Sequence, residues 1–89
     1  MQDSVRITIK YLVNLRDRAG KRVEEISFPR GSTLWNVARW LSEKYNIKLP
    51  DPKIIAILNG KGWEQLPEKF ETRIDEGDII CLFPPVSGG

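Results

Sequence analysis

Ile79-Ile80-Cys81-Leu82-Phe83-Pro84-Pro85-Val86-Ser87-Gly88-Gly89 is the stretch on which the reading of this chain turns. Its first five residues are apolar at both odd and even positions, the pattern of a central strand covered on both faces. Two prolines then fix φ and remove two backbone donors, so the sheet ladder cannot continue past Phe83. Consecutive prolines favour a stiff, extended exit, and the six residues 84–89 span roughly 20 Å at full stretch. Gly88 and Gly89 carry no Cβ and fit a narrow channel. The carboxylate at their end is therefore held clear of the folded body, within reach of a cleft in another protein.

Working upstream, Asp75-Glu76-Gly77-Asp78 is a turn, and Ile54 to Asn59 is a short apolar run closed by the turn pair Asn59-Gly60. Near the N-terminus Val5, Ile7, Ile9 and Tyr11 alternate with Arg6, Thr8 and Lys10, the period of a strand with one buried face. Asn14 to Gly20 is a polar loop with room for one helical turn, and Arg22 to Phe28 resumes a strand. Pro29-Arg30-Gly31 stops that strand, and Ser32 or Thr33 can cap a helix. Leu34, Val37, Ala38, Leu41 and Tyr45 then fall on one helical stripe, flanked by Trp35 and Trp40. Residues 62–72 read as mostly irregular.

Strand, strand, helix, strand, strand is an α+β order. One helix must cross one face of a mixed sheet, with the last strand central. Residues 1–83 form one domain and 84–89 an extended tail. The face away from the helix needs a loop or a partner to cover it, and Phe83, where strand meets tail, reads as an interface residue.

A chain of 89 residues has room for one core and little for a deep catalytic cleft. There is no histidine, which removes the side chain best suited to proton transfer near neutral pH. The net charge of +2 is too mild to argue for nucleic acid or an anionic membrane. Arg6, Arg16, Arg18, Lys21 and Arg22 are interleaved with acids and read as a solvated surface. The lone Cys81 excludes an internal disulfide, fits a reducing cytoplasm, and reads as a small core residue. The N-terminus has no signal-peptide pattern, and no apolar run is long enough to span a bilayer.

The chemistry expected is therefore that of the tail. A carboxylate is resonance-stabilised and ionised at neutral pH, so it accepts a nucleophile only after conversion to something like an acyl-adenylate. The chain has no Walker phosphate loop, and Gly60-Lys61-Gly62 is too short to serve as one. Activation falls to a partner enzyme.

Phe83-Pro84-Pro85-Val86-Ser87-Gly88-Gly89 resembles the C-terminal signature of the MoaD family, the small subunit of molybdopterin synthase. Looser likeness continues in residues 72–78, in Ala56-Ile57-Leu58-Asn59-Gly60 and in residues 11–20. The resemblance implies a β-grasp, ubiquitin-like fold and a tail mechanism. A MoeB-like adenylating enzyme, using ATP and Mg²⁺, would activate Gly89, and a sulfur donor protein would convert it to a thiocarboxylate. Phe83, Pro84, Pro85, Val86, Ser87 and Gly88 would lie in a MoaE-like large subunit while the sulfur passes to a pterin precursor of the molybdenum or tungsten cofactor. This chain would bind no cofactor or metal of its own and would not be an enzyme alone. Carriers for thiazole, cysteine or tRNA thiolation, a protein modifier joined through Gly89 to lysine, and a binding module with an inert tail are the alternatives. Residues 61–70 are bulkier than the family usually carries there, as a packed loop or an altered partner surface.

Overall fold

The computed structural model describes residues 3–85. Strand β1 (Ser4–Tyr11) realises the alternation, with Val5, Ile7, Ile9 and Tyr11 buried on one side. A six-residue helix α1 (Asn14–Ala19) fills the loop after it. It ends at Gly20, whose φ of 76° lies in the left-handed region that glycine enters without a Cβ penalty. Strand β2 (Val23–Pro29) returns antiparallel to β1, with Ile7 opposite Ile26. Helix α2 (Leu34–Tyr45) follows, then β3 (Ile55–Leu58) and a two-residue β4 (Lys61–Gly62). Two 3-10 turns, Trp63–Gln65 and Lys69–Glu71, precede β5 (Ile79–Phe83).

The sheet order is β2-β1-β5-β3-β4. β5 runs parallel to β1 and antiparallel to β3, which makes the sheet mixed and places the last strand at its centre, as expected. Leu34, Val37, Ala38 and Leu41 of α2 share one core with the inward residues of β1 and with Ile80 and Leu82. Burying each of the leucine, isoleucine and valine side chains among them contributes about 1.5–3 kcal/mol. Thr33 is the helix cap: its backbone N–H donates to Asn36 Oδ1 at 2.8 Å, one arm of a reciprocal capping box. The Ser32 hydroxyl instead donates to the Pro29 carbonyl at 2.6 Å.

One polar cluster ties β1, β2 and α2 together. The Tyr11 and Tyr45 hydroxyls both donate to Glu24 Oε2, at 2.6 and 2.7 Å, and Lys21 Nζ lies 3.3 Å from Oε1. Burial pushes the Glu24 carboxyl up, but the two phenol donors and Lys21 outweigh it and hold the group below the usual range. The Tyr11 phenol is pushed up, first by burial and then by Glu24.

Two expectations need correction. The strand apolar at both parities is covered on one face only: Ile79 is 39% exposed. Cys81 lies on that same side, half-buried and outside the core. Of the two readings of residues 61–70, the packing favours a packed loop: Trp63 and Phe70 are buried, with their rings edge-to-face at 5.2 Å.

Candidate functional site

The open face of the sheet is built from the residues that alternate with the core. On β5 these are Ile79, Cys81 and Phe83. Across the antiparallel ladder, Ile55 lies opposite Phe83 and Ile57 opposite Cys81, so paired side chains share the face. On the other flank Lys10 is beside Cys81 and Thr8 beside Ile79. An apolar strip on β3 and β5 therefore meets a polar border on β1. There Arg6 pairs with Glu25 at 3.7 Å, an exposed contact of small energetic value.

The strip ends where the chain leaves the sheet. Phe83 closes β5 half-buried, Pro84 is half-buried, and Pro85 is exposed. Phe83 is not enclosed within the monomer, as its expected interface role requires. Val86, Ser87, Gly88 and Gly89, the rest of the expected site, lie outside the described residues.

The end of β1 reaches the same edge. Leu12 N–H donates to the Leu82 carbonyl at 3.0 Å and holds the following turn beside the exit. Leu12 and Val13 are exposed there. Val13 has a φ of 56°, in the region that a β-branched residue enters only with strain. Sequence reading missed both residues, because two apolar residues between a strand and a polar loop carry no periodic signal. Ile55, Ile57 and Ile79 were missed as site residues for a related reason. Apolar residues in a strand read as core, and which face stays open is decided by the packing of the rest of the chain.

This geometry suits docking. A rim of apolar side chains surrounds a proline exit, and one flank of the strip is polar. Among the described residues no helix is long and apolar enough to cross a membrane.

Comparison with known proteins fits this arrangement. The ThiS family model matches residues 9–89. The molybdopterin synthase sulfur carrier subunit of Escherichia coli K12 is 27% identical over 85 residues, 93% of this chain and 99% of that protein. The solution structure of the Haloferax volcanii HVO 2177 protein superposes with a TM-score of 0.80 at 22% identity, covering 100% of this chain and 91% of that one. Small archaeal modifier protein 1 of Methanosarcina acetivorans gives a TM-score of 0.74 at 27% identity, covering 99% and 100%. The fold is the expected ubiquitin-like β-grasp. By the match of its family model over nearly its whole length, the chain belongs to the ThiS family, the ThiS/MoaD group of ubiquitin-like sulfur carriers.

Proposed function

We propose that this protein carries sulfur as a thiocarboxylate on Gly89 and delivers it in the cytoplasm to a molybdopterin-type synthase. The observation that carries the reading is the course of β5: a central strand runs directly into the Pro84-Pro85 exit at the margin of an open apolar face. The E. coli relative is named as a molybdopterin synthase sulfur carrier subunit, which favours that pathway over other thiolations.

In this reading the Gly89 carboxylate attacks the α-phosphorus of ATP in a MoeB-like enzyme, with Mg²⁺ there, and pyrophosphate leaves. The terminal sulfur of a donor persulfide displaces AMP from the acyl carbon. A second donor thiol cleaves the resulting acyl disulfide, leaving sulfur on Gly89 and a disulfide on the donor. The tail then enters a MoaE-like large subunit, where the thiocarboxylate gives up its sulfur and the acyl carbon is hydrolysed back to the carboxylate. This chain contributes positioning: Ile55, Ile57 and Phe83 seat the body, Pro84 and Pro85 aim the tail, and Val86, Ser87 and Gly88 thread the channel. It is a cosubstrate and subunit rather than a catalyst.

Intact-mass spectrometry tests this. After incubation with the adenylating enzyme, ATP, Mg²⁺ and a persulfide donor, the protein gains the mass of one oxygen-to-sulfur exchange. The variant lacking Gly88 and Gly89 gains nothing and stays folded. No mass change in the full chain, with the partner enzyme active on a known carrier, overturns the reading.

The likeness to small archaeal modifier protein 1 supports a second reading, in which activated Gly89 acylates a lysine of a target protein. Isopeptide-linked glycines in a tryptic digest of host lysate would identify it.

A further inference from the structure

Helix α2 carries a second surface along the flank of its buried stripe that meets Phe70. Trp35 and Arg39 are exposed one turn apart there, and Ser42 is half-buried beside them. Together with Ala38, Lys48 and Leu49 they line a groove of about 440 Å³. Its lining holds two cations and no carboxylate. Neither the Arg39 nor the Lys48 side chain makes an ion pair or hydrogen bond among the described residues, and Glu43, one turn beyond Arg39, is not within ion-pair distance of it.

Trp35 is 48% exposed, yet its ring is held from below. It lies against Phe70 at 4.5 Å between centroids, and Phe70 in turn meets the buried Trp63. A large aromatic fixed in place and left open to water loses little entropy when something packs on it. Tryptophan and arginine are also the residues most enriched where proteins bind one another tightly.

We propose that this groove docks an acidic segment of a partner protein, one that carries carboxylates around a single aromatic or aliphatic anchor. The anchor packs on Trp35 above Leu49, and the carboxylates pair with Arg39 and Lys48. Charge complementarity selects this occupant over a basic one. Two cations are too few for a nucleic-acid backbone, whose binding grows with the number of phosphates neutralised. The groove belongs to the helix side of the sheet and shares no lining residue with the open face, so occupying one does not use the residues of the other. The proposal does not rest on the sulfur-carrier reading, and the purified chain is enough to test it.

The test is a ¹⁵N–¹H NMR titration with an acetylated peptide of glutamates around one central phenylalanine. The controls are the same peptide with lysines and an oligouridylate. The proposal expects the Trp35 indole N–H and the Arg39 and Lys48 amides to shift with the glutamate peptide only, less so as salt rises. Trp35→Ala and the double variant R39E/K48E should each weaken binding about tenfold. R39E/K48E should keep the parent unfolding midpoint, since both side chains are solvent-facing. Four outcomes overturn the proposal: no shifts in the groove, shifts centred on the open sheet face, an equal response to the lysine peptide, and stronger binding of oligouridylate.

Discussion

Along β5, Ile80 and Leu82 are 0% exposed within the core, whereas Ile79 is 39% exposed and Cys81 and Phe83 are only half-buried on the opposite side. The two sets are interchangeable in hydrophobicity. What separates them is that α2 crosses one face and, among the described residues, nothing crosses the other. The first face supplies folding energy, and the second is the one the proposed function assigns to a partner. Substitutions on the two sides should therefore fail in different assays.

Leu82→Ala should give the largest loss of stability. It removes a fully buried side chain at the sheet centre and should cost about 2–5 kcal/mol in urea unfolding. Retention of near-parent stability would mean that the covered face is not the core.

Tyr11→Phe comes next, because it deletes a phenol donor to a carboxylate and should cost about 1.5–3 kcal/mol at neutral pH. The same cluster gives a pH dependence. The Glu24 carboxyl is held lower in the folded chain than in the unfolded one, so the unfolded state binds more protons as pH falls. The stabilisation is complete above the unfolded glutamate pKa, about 4.3. It is lost as pH drops through the lower folded value. Thermal unfolding of Glu24→Gln should lose this acid-side slope.

Phe83→Ala should cost only about 1 kcal/mol of stability, since Phe83 is half-buried. It should nonetheless weaken capture by the activating enzyme about tenfold in a binding titration. An equal loss in both assays would erase the distinction between the faces. Val13→Gly is the finest test. Relief of the strained φ should raise stability by about 1 kcal/mol in the same urea assay while removing an apolar contact at the exit.

Much of this was legible in the residues. The alternation Val5-Ile7-Ile9-Tyr11 and the stripe Leu34-Val37-Ala38-Leu41 gave β1 and α2 because each carries the period of its own element. Pro84-Pro85 marked the end of the last strand because proline cannot donate to a ladder. The open face was not legible, because a strand apolar at both parities looks the same whether its second cover is intramolecular or a partner. Residues 61–70 were ambiguous for the same kind of reason: Trp63 follows Gly60-Lys61-Gly62 without periodicity, and only its packing on Phe70 brings it inside. The two-residue β4 is too short to leave a pattern.

Cys81 is the single cysteine of the chain and sits in the middle of the open face, which makes it a unique reporter. The direct measurement is the rate at which a thiol reagent modifies Cys81 in the native protein, with and without the adenylating enzyme. The account predicts modification without global unfolding in the free protein and strong protection when the enzyme is bound and Gly89 is being adenylated. Modification only through unfolding, or an unchanged rate while Gly89 is adenylated, would contradict the claim that this face is where the partner docks.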